Sequence, residues 1–146
     1  MHNNIEQQLV ELSHLFKRYD VVYRLVAQKF DMPPLSLWIL YVLQMTPYCT
    51  QKELASQLYH SKQSINSALK TLLAEGHVIL EYAVNNKKSK HIRLTESGRK
   101  LADKTAKAIV AADKAAFAYL SNEEREQFIY LFDRYVNSLE HEMEKL

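Results

Sequence analysis

Glycine and proline are scarce in this chain, two and three among 146 residues. So few breaks leave little room for the turns of an all-β fold and favour long helices. Cysteine is scarcer still. Cys49 stands alone, which excludes an intrachain disulfide and any Cys-x-x-Cys metal or redox pair. No apolar run reaches the length of a membrane-crossing helix, and the opening "MHNNIEQQLVEL" is polar and periodic rather than a basic stretch followed by an apolar one. The expectation is one soluble, cytoplasmic domain in a reducing compartment, with no membrane partner.

The excess of positive charge is concentrated in one stretch. Residues 60–100 hold eight Lys or Arg (62, 70, 87, 88, 90, 93, 99, 100) against three acids (75, 81, 96). Residues 1–59 balance at five against five, and 101–146 carry six basic residues against nine acidic. The middle of the chain is therefore the part suited to a polyanion.

Ile5, Leu9, Leu12, Phe16, Tyr19, Tyr23, Val26 and Phe30 recur at spacings of three and four, which predicts an amphipathic helix over 5–30. "DMPP" at 31–34 ends it, and "LSLWILYVLQM" reads as a largely buried second helix. Thr50 with Glu53 forms a capping box opening a third, short helix. Ser61 caps a fourth, "KQSINSALKTLLAE", and Gly76 stands where a left-handed helix end belongs. "VILEYAV" at 78–84 and "KHIRL" at 90–94 flank "NNKKSK", a hairpin with a basic tip. Thr95 starts a fifth helix carrying Leu101, Ala108, Ile109, Ala112, Ala116 and Tyr119, and "SNEE" at 121–124 is a second capping box before the last. The fold class is mainly α with a small β-hairpin wing, in the order α-α-α-α-β-β-α-α.

Two short helices joined by about three residues and followed by a basic hairpin is the ordering of a winged helix-turn-helix. Stepping by about 100° per residue from Ile65 gathers Leu69, Leu72 and Leu73 on one side of the fourth helix, with Ala68 at the edge. Gln63, Ser64, Asn66, Ser67, Lys70 and Thr71 fall on the other arc, which holds no acid and no large apolar group. Such an arc suits base edges and phosphates. The candidate DNA-binding set adds Thr50, Gln51, Ser61 and Lys62 around the two helix starts, and Lys87, Lys88, Lys90, His91 and Arg93 in the wing.

The segments "TQKELA", "LLAEGHV" and "RLTESGRKL", in this order, resemble the MarR family of bacterial transcriptional regulators, and the resemblance runs the full length of the chain. It implies a homodimer built on helices within 1–30 and 101–146. Residues 31–100 would form the winged DNA-binding domain that meets one half of a pseudo-palindromic operator. It also implies a repressor that releases DNA when a small aromatic or lipophilic effector binds, and Tyr19, Tyr23, Trp38 and Tyr41 are the candidate pocket, against ordinary core packing. The chain departs from the family in three places, one of them Cys49, which lies just before the third helix rather than near the first, where the family's peroxide-sensing cysteine sits. Lysines replace the Asp-x-Arg of the wing, and Tyr59-His60 stand in the turn that usually has a glycine and then an apolar residue. A tyrosine at positive φ is strained, so this turn is expected to take another shape or to gain aromatic packing.

Other chemistry finds little support. The six histidines (2, 14, 60, 77, 91, 141) include no pair at i, i+3 or i+4, so no metal or cofactor is expected. No active-site motif points to an enzyme. Two alternatives stand beside DNA-binding regulation. One is a winged module that docks protein, which would want acids or large apolar groups on the outer arc. The other is a thiol-redox regulator using Cys49, with a partly exposed thiol just before a helix start but no neighbouring cation.

Overall fold

The computed structural model of the chain describes residues 4–83 and 86–146, and for 83, 86 and 87 the backbone alone. The elements run α1 (Ile5–Lys29), α2 (Pro34–Met45), β1 (Cys49–Thr50), α3 (Gln51–Leu58), α4 (Lys62–Ala74), β2 (Val78–Ala83), β3 (Asn86–Leu94), α5 (Glu96–Lys104), α6 (Ala106–Phe117) and α7 (Asn122–Met143). They divide into two compact units, Met1–Ala108 and Ile109–Leu146.

Two features depart from the expected order. Cys49–Thr50 forms a short strand, because it pairs antiparallel with Ile92 and His91 and so makes β3 the centre of a three-stranded sheet, β1-β3-β2. The expected single fifth helix is two. Buried Thr105, at φ −114°, donates its hydroxyl to the Leu101 carbonyl at 2.7 Å, and such back-bonding from a threonine bends a helix.

With so little glycine, helices end on other residues. α4 closes with Gly76 at φ 75°, its amide donating to Leu73 O and that of His77 to Leu72 O. This is the paired closure that a left-handed residue permits. The same pair of bonds closes α3, from Tyr59 to Ser56 O and from His60 to Ala55 O, and α1, from Asp31 to Gln28 O and from Met32 to Ala27 O. Tyr59 sits at φ 52° and Asp31 at φ 54°. The expectation for the turn at Tyr59 is therefore corrected: it keeps the left-handed shape, and no aromatic packing compensates, since Tyr59 is 96% exposed.

In the first unit α2 is the central helix. Ile39 and Leu40 are fully buried and pack in one cluster with Leu54 of α3, Ile65, Leu69 and Leu72 of α4, Val78 and Ile92 of the sheet, and Ala102 of α5. Burying a side chain such as Ile65 or Leu72 stabilises by about 1.5–3 kcal/mol, so these residues fix which face of α4 looks inward. The start of α5 then locks the far end of α4. Thr95 N–H donates to His77 O, its hydroxyl donates to Gly76 O at 2.6 Å, and Ser97 Oγ lies 2.8 Å from His77 Nδ1. Gly98 approaches so closely that an added Cβ would overlap the His77 carbonyl. Most of α1 stays exposed, with Ala27 its buried residue.

In the second unit, Ser121 and Glu124 close the expected capping box at the start of α7. Phe117 meets Phe128 edge-on at 6.2 Å, and Phe128 stacks on Phe132 at 6.0 Å. All three rings are among the exposed large hydrophobics, and α7 buries no residue. No described helix is long and apolar enough to cross a membrane.

Candidate nucleic-acid interface

The capping box expected at Thr50 and Glu53 is formed. The Thr50 amide donates to Glu53 Oε2 at 2.8 Å, and the Glu53 amide donates to Thr50 Oγ1 at 3.1 Å. The backbone bond from Thr50 is the main reason the Glu53 carboxyl is held below its ordinary value, with His91 adding a favourable charge interaction. A carboxyl with a lowered folded pKa contributes stability above its unfolded value, about 4.5, and loses it as pH falls through the folded value. Glu53→Ala is accordingly expected to lower the urea midpoint near neutral pH, with the gap to wild type closing in acid. A gap that stays constant with pH would show that the carboxylate is not the cap.

This box aims the start of α3 at the start of α4, where Gln51 Nε2 donates to the Lys62 carbonyl at 3.4 Å. Ser61 caps α4, accepting from the Ser64 amide at 3.1 Å, and its hydroxyl donates to Ser64 Oγ. Thr50 and Ser61 thus shape the helix starts, and Thr50 and Gln51 are half-buried. Beyond them Lys62, Gln63, Ser64, Asn66, Ser67, Lys70 and Thr71 are all exposed, while Ile65, Leu69 and Leu72 are buried. The polar arc read from the sequence is brought together on one outward face.

The wing differs from the expected basic tip. β3 starts at Asn86, so Lys88 and Lys90 lie within the strand; Lys90 pairs with Tyr82, and between that pair and Ala83–Asn86 the register breaks, which leaves Lys88 in the irregular stretch. Both are exposed, and Lys90 Nζ stands 5.3 Å from the ring centre of its cross-strand partner Tyr82. The side chain of Lys87 lies outside the described residues, as do Val84 and Asn85. His91, half-buried, faces Thr50 and Glu81 across the ladder. Arg93 is held back from the surface set. It bonds Glu81 Oε1 at 2.7 Å, and its Nε is buried without a partner among the described residues. Strand alternation puts Glu81 and Arg93 on one face, diagonal across the pair, which a count of charges along the chain does not register.

Cys49 is corrected too. The thiol is fully buried rather than partly exposed, and burial, with Glu53 as a lesser cause, pushes it up to about 11. Such a thiol carries almost no thiolate near neutrality, the opposite of what a redox sensor needs. Among the described residues no three His, Cys, Asp or Glu side chains are grouped to hold a metal.

The aromatic residues form a chain of contacts. Tyr19 meets Tyr23 at 4.8 Å, Tyr23 meets Trp38 at 5.3 Å, and Trp38 meets Tyr41 edge-on at 6.3 Å. Tyr19, Tyr23 and Trp38, with Asp20, Arg24 and Pro34, line a depression of about 370 Å³. Tyr41 is not in that lining and packs against the core instead.

The MarR family model matches residues 30–88, the stretch from the end of α1 through α4 into the wing. That segment belongs to the MarR family. The MarR-type winged-helix fold extends over nearly the whole chain. NMB1585, a MarR family regulator from Neisseria meningitidis, is 19% identical, with 94% of this chain and 97% of that chain covered at a TM-score of 0.77. S. aureus MepR in complex with DNA is 21% identical, covering 86% and 96% at 0.73. PcaV from Streptomyces coelicolor, in complex with its natural ligand, is 17% identical, covering 87% and 92% at 0.69. No curated protein sequence matches the chain.

In this MarR-type frame two stretches singled out for resemblance, "LLAEGHV" and "RLTESGRKL", turn out to be the two sides of one contact, the clamp of Thr95, Ser97 and Gly98 on Gly76 and His77. Sequence reading missed Gly98 as a packing residue. Its available signal was that only two glycines exist and one was already assigned to a helix end.

Proposed function

We propose that the chain is a homodimeric, sequence-specific DNA-binding repressor. In this reading α4 enters the major groove of each half of a pseudo-palindromic operator and the wing follows the backbone beside it. The observation that carries it is the outward face of α4: seven exposed polar or basic side chains from Lys62 to Thr71, no acid, and a buried opposite face that fixes their direction. A protein-docking module would want acids or large apolar groups there, and the face has neither. MepR, solved on DNA, and PcaV, solved with its natural ligand, add support by likeness of fold. Self-association is supported by the exposed apolar side chains of α1 and α7, among them Ile5, Leu9, Phe128 and Leu131, which a single chain leaves in water. The effector would be flat and apolar, stacking in the depression at Tyr19, Tyr23 and Trp38.

A gel shift of the purified protein against its own upstream DNA, repeated across salt concentrations, tests the reading. The expected result is a discrete complex at low nanomolar to micromolar protein that weakens with salt and outcompetes random duplex. Equal binding to every duplex, or none, would sink it. Release of that complex by a compound that also quenches Trp38, the single tryptophan, tests the effector part.

A further inference from the structure

Three described residues other than glycine are left-handed. Asp31 is of a type that tolerates this conformation. Tyr48, at φ 63°, is 56% exposed and borders a depression with Arg93 and Arg99. Tyr59 is the more exposed of the tyrosines held this way. It holds φ 52° and ψ 40° at the end of α3, is 96% exposed, and its hydroxyl makes no hydrogen bond among the described residues. A left-handed residue with a Cβ is strained, and glycine would relieve it at once. An exposed ring that packs on nothing offers the fold no return for that strain.

The surroundings say what the ring is for. From Leu54 to Ala74 the chain contains no Asp or Glu, and His60, Ser61, Lys62 and Gln63, which follow Tyr59, are all exposed. The turn therefore presents a phenol beside a neutral-to-basic surface. We propose that Tyr59 donates its hydroxyl to a phosphate oxygen of the duplex backbone flanking the groove that α4 enters, and that the turn keeps a strained tyrosine for this contact. The inference rests on the DNA-binding reading. Tyrosine hydroxyls are ordinary donors to DNA phosphates and carry no sequence information. Being uncharged, this one releases no counterion, so it adds affinity without adding to the salt dependence.

The test compares Tyr59→Phe and Tyr59→Gly with wild type, on a duplex selected by the wild-type protein from a randomised library and on a random duplex of the same length. Y59F is expected to bind both about tenfold more weakly, the worth of one hydrogen bond to a charged group. Its salt slope and urea midpoint are expected to stay as in wild type. Y59G is expected to bind as weakly or worse while its urea midpoint rises, because the backbone strain is gone. Affinity unchanged in both variants overturns the proposal and leaves the DNA reading standing. Affinity that survives in Y59F and falls only in Y59G also overturns it, since the loss then belongs to the backbone of the turn. If the wild-type protein retains no duplex at all, the DNA-binding reading itself fails and takes this inference with it.

Discussion

Gly98→Ala is expected to destabilise the protein by about 3 kcal/mol or more, at the upper end of what overpacking a tight site costs, because the added carbon meets backbone rather than a flexible side chain. The Cβ would overlap the His77 carbonyl oxygen, lie 2.9 Å from that carbonyl's carbon and touch Leu94 Cδ2 at 3.2 Å. Relief would require α5 to back away from the α4–β2 junction. That movement breaks the bonds of Thr95 to His77 O and Gly76 O. Gly76→Ala is the matching control. There φ is +75° but nothing lies within 4 Å of the added carbon, so the expected loss is only the left-handed penalty, about 1 kcal/mol. Urea denaturation of both variants separates crowding from backbone conformation. A G98A protein destabilised no more than G76A would mean that the junction is looser than its geometry.

The second large effect divides affinity from specificity. Gln63, Ser67 and Lys70 are exposed on the face of α4 that carries no acid, so replacing all three by alanine is expected to collapse the preference for operator over random duplex. Each good base contact discriminates by about 1–3 kcal/mol, so removing two or three leaves little of the preference. Lys88 and Lys90 lack the planar fork that reads guanine or lines a minor groove. Their replacement is expected to weaken operator and random DNA alike and to flatten the salt slope by about 0.9 for each phosphate no longer neutralised. Binding curves over a range of salt, on both duplexes, decide it. A wing double mutant that keeps the full slope, or that releases operator while holding random DNA, would make the wing idle or a reader of sequence.

The helices and their starts were legible because the signals are local. Spacing of three and four marked α1, and the capping boxes at Thr50–Glu53 and Ser121–Glu124 form as the residue types require. The polar arc of α4 was legible for the same reason, since one helix fixes which of its residues share a face. What was missed depends on partners far away in the chain. The strand at Cys49 exists only because β3 lies beside it, and that pairing is also what buries the thiol. Arg93 looked like a surface cation until its diagonal neighbour Glu81 was known. Thr105 carries a choice that its sequence context does not decide, between continuing a helix and bonding back to it. The strain at Tyr59 is legible in the residue type, whereas its lack of aromatic packing shows only in its exposure.

The position of β3 has a mechanical consequence. It is hydrogen-bonded on one side to β1, which runs without a break into α3, and on the other to β2, which follows directly from the closure of α4. A displacement of the wing is therefore passed to α3 through β1 and to α4 through β2, so the two helices are coupled through one strand.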